Sequence, residues 1–242
     1  MGHTWTRVAG AVGIALASVA APAGGERAEP AAAPTAAKPE DVVVCVQPIG
    51  ALPKADAALI APIGRGFARI FGFTVKSLAA IELPADAWYA PRKRYRADKL
   101  LDHLRADVLP GSGCTAIIGV AAVDISTTKD DIEDWGVLGL GELDGAVGVV
   151  SSFRMKKGKP SKRRVLQRAI KVSTHELGHV LGLPHMDGGP ECMMNDAHGT
   201  VKTVDAERGG LCDSERAPIE AKLGFALPAG GDLDWDWIAT GK

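Results

Sequence analysis

Three histidines and one glutamate lie close together in the segment STHELGHVLGLPH, which covers residues 173–185. The chain has six histidines in all, and three of them, His175, His179 and His185, fall within eleven residues. In a helix, side chains four residues apart lie on the same face, so the imidazoles of His175 and His179 can reach one metal ion. The spacing therefore predicts a metal site built on a helix.

The third histidine follows two residues that end helices. Gly182 tolerates a positive φ and Pro184 resists helix continuation, so the chain can turn back and bring His185 to the same ion. Three neutral imidazoles leave a tetrahedral zinc with one open position, as catalytic zinc sites require. We expect one catalytic Zn²⁺ bound by His175, His179 and His185.

Glu176 directly follows the first of these histidines and is rotated from it by about 100° around the helix axis. Its carboxylate is therefore expected beside the metal, where it can take a proton from a water that zinc has made acidic. Zinc also polarises a carbonyl oxygen, so the parts suit hydrolysis of an amide with Glu176 as general base. The alternative is a zinc-bearing peptide-binding module without turnover.

The elements that must position these residues alternate between strands and helices. Continuous apolar runs bounded by turns predict buried strands at 41–50, 74–84, 114–125 and 144–153. Helical spacing of apolar residues predicts helices at 55–73, 96–109 and 165–181, while 130–134 is interpreted as an acidic loop. This order indicates an α/β fold, with a mixed, mostly parallel twisted sheet, packed helices, an active-site helix and a small C-terminal subdomain.

The composition argues against nucleic-acid partners. The formal net charge is −1 and aromatic residues make up 5% of the chain, so neither general electrostatic attraction nor a stacking surface is expected. The basic run at 156–164 is interpreted as a solvated segment before a helix.

The N-terminus has the pattern of an export signal. Arg7 precedes fourteen apolar or small residues at 8–21, a stretch too short to span a bilayer comfortably, and small residues follow. We expect a signal peptide at 1–21, an Ala/Pro-rich disordered linker at 22–39, a folded domain at 40–228 and a tail at 229–242. The mature protein is then exported, to the periplasm or beyond, without stable membrane insertion.

The chain has four cysteines, Cys45, Cys114, Cys192 and Cys212. An even number in an exported protein suggests two disulfides, and the sequence alone leaves three connectivities open.

The zinc motif belongs to a wider resemblance. HELGHVLGLPH is the metzincin signature, which is accompanied by a methionine turn beneath the metal. The chain resembles the archaemetzincins through most of its folded part, in the segments VCVQPIG, LPADAWYAPRKRYRADKLLDHL, AIIGVAAVDI, GAVGVVSSFR and LCDSERAPIEAKLGF. The resemblance implies a metzincin-like fold and a monomeric zinc peptidase that acts on peptides or proteins. A secreted endopeptidase of matrixin type is the alternative within the metzincins.

The same resemblance implies roles for further residues. His175, His179 and His185 would be the zinc ligands, Glu176 the general base, and Met194, in Cys192-Met193-Met194, the methionine beneath the metal. An edge strand at 145–152 would pair with substrate, unless that segment is an ordinary core strand.

The chain departs from the family where the family has four cysteines that resemble a structural zinc site. Met186 and Glu215 occupy two of those positions, and they are poor replacements for cysteine ligands. We therefore expect no second zinc, and we expect disulfides Cys192–Cys212 and Cys45–Cys114.

Overall fold

The computed structural model describes residues 38–187, 189 and 191–242. The predicted signal peptide and nearly all of the predicted linker lie outside the described residues. Within them, no helix combines the length and the apolar character that crossing a membrane requires.

The main sheet has five strands in the order β2-β1-β5-β9-β8. Its strands are β1 (Val43–Pro48), β2 (Thr74–Ser77), β5 (Ala116–Ala121), β8 (Gly139–Gly141) and β9 (Val147–Ser151). The pairs β2–β1, β1–β5 and β5–β9 are parallel, and β8 joins β9 antiparallel at one edge. The predicted mixed, mostly parallel sheet is confirmed.

The central strands are apolar throughout because both of their faces are covered. All six residues of β5 are buried. Ile118 and Val120 point into the core that contains Phe67 of one helical layer, whereas Ile117 points into the core that contains Leu100 of the other. Alternate side chains point to opposite faces of a strand, so burial on both faces requires an unbroken apolar run.

Helices cover both faces of this sheet. They are α1 (Lys54–Ala57), α2 (Ile60–Phe71), α3 (Ala97–His103), α4 (Ser152–Met155), α5 (Lys162–Val180), α6 (Val201–Ala206), α7 (Asp213–Leu223) and α8 (Trp235–Thr240). The helix α3 continues as a π-helical turn at Leu104–Val108, and short 3₁₀ turns occupy Pro39–Asp41, Ala85–Ala87 and Ala90–Arg92. The apolar sides of α2 and α5 pack on one face of the sheet and α3 packs on the other.

A second, four-stranded sheet was not expected from the sequence. Its order is β3-β4-β6-β7, with β3 (Trp88–Tyr89), β4 (Arg94–Arg96), β6 (Ile125–Lys129) and β7 (Ile132–Val137). The interpretation of 130–134 as an acidic loop is wrong, since β7 begins at Ile132 and pairs antiparallel with β6. The acidic residues are compatible with this hairpin because Asp131 and Glu133 lie exposed. Asp130 (φ 51°) supplies the tight turn that a two-residue hairpin needs.

The predicted substrate-pairing strand at 145–152 is also corrected. The strand β9 within it is buried at all five residues and lies between β5 and β8, so it is a core strand. The edge position belongs to β8, whose sequence Gly139-Leu140-Gly141 is too short and glycine-rich to carry a strand pattern.

Two disulfides and a C-terminal helix complete the fold. The pairs are Cys45–Cys114 and Cys192–Cys212, as expected. Within the predicted tail at 229–242, α8 packs against α2, where the guanidinium of Arg65 donates to the carbonyls of Ile238 (2.7 Å) and Ala239 (2.8 Å).

Candidate metal centre

The helix α5 carries the first two histidines and ends where the sequence predicts. Its N-terminus is capped by Ser161, whose hydroxyl accepts from the amide of Arg164 at 3.2 Å. At its C-terminus, Gly182 adopts φ +100° and donates to the carbonyl of His179, while the amide of Leu183 donates to the carbonyl of Gly178. These two bonds form a Schellman motif, which reverses the chain and directs His185 back toward the helix.

The structure brings the three predicted histidines together. One ring nitrogen from each of His175, His179 and His185 lies within 4.8 Å of the others. The Nε2 atoms of His175 and His185 are 3.2 Å apart. Two nitrogens held at 2.0–2.1 Å by a tetrahedral zinc would be about 3.3–3.4 Å apart, so the donor set and its spacing fit a zinc ion.

Main-chain carbonyls fix the tautomers of the two helical histidines. Nδ1 of His175 lies 2.7 Å from the carbonyl oxygen of Met193, and Nδ1 of His179 lies 2.7 Å from that of Leu183. A carbonyl only accepts, so each Nδ1 carries the proton and donates. Each Nε2 therefore keeps its lone pair for the shared metal position.

The electrostatic surroundings keep these imidazoles neutral. Burial lowers the pKa of His175 to about 3, and it also lowers the pKa values of His179 and His185. Neutral imidazole is the form that binds a metal, so little proton competition is expected at neutral pH.

Asp196 lies near the third histidine, a contact that was not predicted from the sequence. Its Oδ2 lies 3.8 Å from Nδ1 of the half-exposed His185. The same carboxylate pairs with Lys129 at 3.0 Å and with His198 at 3.2 Å. No motif marks Asp196, because its partners come from β6 and from a loop.

Glu176 is 5% exposed and lies against the edge strand β8. A side chain at Gly139 would collide with its carboxylate, so the glycines of β8 leave the room that this carboxylate occupies. Burial raises the pKa of Glu176 to about 8, while a hydrogen bond from the amide of Gly141 opposes that rise. Glu176 also lines the same cleft as the three histidines.

Met194 packs directly beneath the helix that carries the histidines. It is fully buried, and its Sδ lies 2.5 Å from the position that a Cβ at Gly178 would occupy. Its carbonyl accepts from the amide of Met186 at 2.9 Å, next to His185. Of the two adjacent methionines, Met194 is the one whose sulfur faces Gly178.

Glu215 connects this methionine turn to α7, and its contacts were not predicted. Its buried carboxylate accepts from the amide of Met194 at 2.6 Å and from the amide of Cys212 at 2.8 Å. The side chains of Cys192, Cys212 and Glu215 cluster within 4.8 Å. Since the two thiols form a disulfide, the carboxylate and the covalent bond together hold this turn.

The histidines and Glu176 open into a cleft of about 440 Å³. Residues of α5, residues of β8 and residues 127–129 all contribute to its lining. Its lining also includes Val172, Val204 and Glu207, the last of which no sequence motif indicates.

Comparisons with known proteins agree with this architecture. The sequence profile of peptidase family M54 matches residues 72–220. An archaemetzincin from Pyrococcus furiosus is 27% identical over 188 residues, which is 75% of this chain and 94% of that protein. An archaemetzincin from Haloarcula marismortui is 32% identical over 142 residues, which is 54% of this chain and 75% of that protein.

Solved structures share the fold. The archaemetzincin of Methanopyrus kandleri superposes with a TM-score of 0.66 at 23% identity, over 76% of this chain and 96% of that one. The archaemetzincin of Archaeoglobus fulgidus, solved with malonate, gives 0.59 at 25% identity, over 73% of this chain and 99% of that one.

Proposed function

Since this chain belongs to peptidase family M54, the archaemetzincins, and is a zinc metallopeptidase, we propose that it hydrolyses peptide bonds with Glu176 as general base. In this proposal, His175, His179 and His185 hold one catalytic zinc. The observation that carries it is the meeting of the three imidazoles beside a buried carboxylate at one cleft.

Each group at the site has a separate role in the proposed hydrolysis. Bound zinc acidifies a coordinated water and polarises a carbonyl oxygen. The carbonyls of Met193 and Leu183 hold the imidazoles of His175 and His179 in the ligating tautomer. Glu176 accepts the proton of the attacking water and returns it to the leaving amine.

The proposed substrate is an extended peptide lying along β8. This strand is the edge of the main sheet, and its residues line the cleft. An edge strand offers free main-chain donors and acceptors, so a peptide can add to the sheet as a further strand. Pairing there would place a peptide bond beside Glu176, whose carboxylate lies against the same strand.

We also propose that the protein acts after export. The pattern at residues 1–21 supports this, and so do the two disulfides, because such bonds persist in oxidising compartments.

Glu176→Gln tests the proposed mechanism. The variant is expected to retain one zinc per chain by elemental analysis and to lose at least roughly 10²-fold in kcat on a mixture of peptides, as removal of a general base does. Glu82→Gln makes the same chemical change at an exposed position and serves as the control. Peptides that bind the zinc-loaded parent protein and are recovered intact would instead indicate a binding module.

A further inference from the structure

Glu207 is a buried acidic residue that lines the cleft of the histidines. It is 5% exposed, and it lines the same cleft as His175 and Glu176. Among the residues that the structure describes, none forms a hydrogen bond or an ion pair with its carboxylate. A buried carboxyl group without a partner is unfavourable for the fold, which calls for a functional explanation.

The cations around Glu207 are committed elsewhere. The ammonium of Lys171 donates to the main-chain carbonyls of Val204 (2.9 Å) and of Glu207 itself (2.5 Å). Arg168 forms a bidentate pair with Asp205, at 2.8 and 2.7 Å. Arg208 pairs with Glu191. Among the described residues, no cation forms a salt bridge with the carboxylate of Glu207, although the charge of Lys171 acts on it from a greater distance.

A hydrogen bond ties Glu207 to the helix that carries the first two histidines. The ammonium of Lys171, on α5, donates to the main-chain carbonyl of Glu207. Glu207 and His175 line the same cleft of about 440 Å³. A long substrate side chain next to the scissile bond can therefore extend through this cleft toward Glu207.

Apolar side chains line this cleft as well. Val172 and Val204 are both buried and line the cleft together with Ala197. A cleft that offers apolar side chains and a carboxylate matches a long aliphatic stem that ends in a cation. We propose that Glu207 is a specificity-determining residue that binds the ammonium or guanidinium of a substrate Lys or Arg next to the scissile bond.

The other two acidic residues that line the cleft have their own contacts or proposed roles. Glu176 lies beside the histidines, and Asp196 is engaged by Lys129 and His198. Glu207 is thus the acidic lining residue that remains open to a ligand. Burial raises the pKa of Glu207 to about 8; Glu215 and Asp205 add to the rise and Lys171 opposes it. A substrate cation in contact would supply the missing stabilisation of the charged form.

Peptides that differ in one side chain test this assignment, which rests on the proposed peptidase function. Two fluorogenic sets carry Lys, Arg, norleucine or Glu, one set immediately before and one immediately after the scissile bond. Norleucine keeps the lysine stem and removes its charge. For the parent protein we expect kcat/KM with Lys or Arg to exceed that with norleucine by about tenfold or more in one set.

Variants then attribute the preference to Glu207. We expect Glu207→Gln to bring the Lys-to-norleucine ratio close to one and Glu207→Lys to favour Glu instead. The ratio in Glu82→Gln should equal that of the parent. Melting temperature and zinc content are measured on each variant, and the comparison of peptides on the parent protein does not depend on any variant folding.

Binding without turnover separates this inference from the proposed function. Calorimetry gives the Kd of the same peptides for zinc-loaded Glu176→Gln and for the double variant Glu176→Gln/Glu207→Gln. The subsite is supported if Glu176→Gln binds the basic peptides more tightly than the norleucine peptide and the double variant does not. This result would hold even if the parent hydrolyses nothing and the peptidase proposal fails. The subsite is overturned if the parent shows equal kcat/KM for the Lys and norleucine peptides and Glu176→Gln shows equal Kd for them.

Discussion

At the scale of single residues, main-chain groups orient the side chains that carry the chemistry. The imidazole of His175 is fixed by the carbonyl of Met193, and the next amide, that of Met194, donates to the carboxylate of Glu215. A continuous series of hydrogen bonds therefore runs from α7 to a zinc-ligand position. The position of the first histidine consequently depends on a residue 40 positions later in the chain.

Glu215→Gln should weaken this support. A side-chain amide has one acceptor oxygen, so one of the amides of Met194 and Cys212 would lose its partner and face an NH₂ group. We expect a loss of about 1–3 kcal/mol in the free energy of unfolding, together with weaker zinc binding. Thermal denaturation and a competitive zinc titration measure the two effects.

The matched control for that substitution is Asp213→Asn, which changes an exposed carboxylate on the same helix. It should cost less than about 1 kcal/mol, the value of a charge at a helix N-terminus, and leave zinc affinity unchanged. Equal effects of the two substitutions on zinc affinity would contradict a specific role for Glu215.

Glu207 should make stability depend on pH in a defined direction. The pKa of Glu207 is raised from 4.5 to about 8 in the folded protein. Between these values the unfolded chain ionises this group and the folded chain does not, so stability falls as pH rises through that window. Below pH 4.5 both states keep the proton, and above pH 8 the loss levels off.

Removing the carboxyl group should remove this loss. Glu207→Gln is expected to match the parent at pH 4 and to become more stable than the parent toward pH 9, by an amount on the order of a few kcal/mol. Unfolding free energies from denaturant titrations at several pH values measure the difference. A constant difference across the range would show that Glu207 ionises in the folded protein as it does in water.

At the scale of elements, the sequence predicts those parts that repeat a regular pattern. The buried strands β1, β5 and β9 and the helix α5 have unbroken or periodic apolar runs, and Gly182 marks the end of α5 through its positive φ. The histidine cluster follows from that helix and that turn, because both act over a few residues. These are local rules, which a single sequence contains.

Other elements depend on partners that are distant in the chain. The strand β8 has only three residues, Gly139-Leu140-Gly141, and it forms because β9 pairs with it. Its two glycines leave room for Glu176. The short strands β3 and β4 likewise form only through pairing with one another and with β6. Asp196, Glu207 and Glu215 meet their surroundings through the tertiary fold, so no spacing rule could have identified them.

Gly182→Ala tests the turn that delivers the third histidine. At φ +100° an alanine is strained by roughly 1–2 kcal/mol, and the chain would relax by shifting His185 away from the other imidazoles. Gly224→Ala is the control, because Gly224 ends α7 at φ +76° with open space around it. We expect similar losses of stability, whereas only Gly182→Ala lowers zinc affinity in a competitive titration. Unchanged affinity in Gly182→Ala would show that the turn does not set the position of His185.

At the scale of the whole molecule, the two disulfides have different tasks. Cys45–Cys114 joins β1 to the residues just before its neighbour β5, within the sheet core, whereas Cys192–Cys212 closes the segment that carries the methionine turn. Both lie in the part of the chain that we propose to be exported. The first should support overall stability, and the second should also maintain the geometry at the metal.

Selective removal of each bond separates these tasks. The loop closed by Cys192–Cys212 spans 20 residues and should contribute roughly 3 kcal/mol, while the 69-residue separation of Cys45–Cys114 corresponds to about 4 kcal/mol. Cys192→Ala/Cys212→Ala is therefore expected to lower the melting temperature by roughly 6–12 °C and to weaken zinc binding, because the turn of Met194 loses one of its two anchors. Cys45→Ala/Cys114→Ala should lower the melting temperature as much or more and leave the zinc affinity of the folded protein unchanged.

Calorimetry and zinc titration, at a temperature below both unfolding transitions, measure the melting temperature and the zinc affinity. Zinc affinity that falls equally in both variants would mean that zinc binding depends on overall stability and not on the anchoring of the methionine turn.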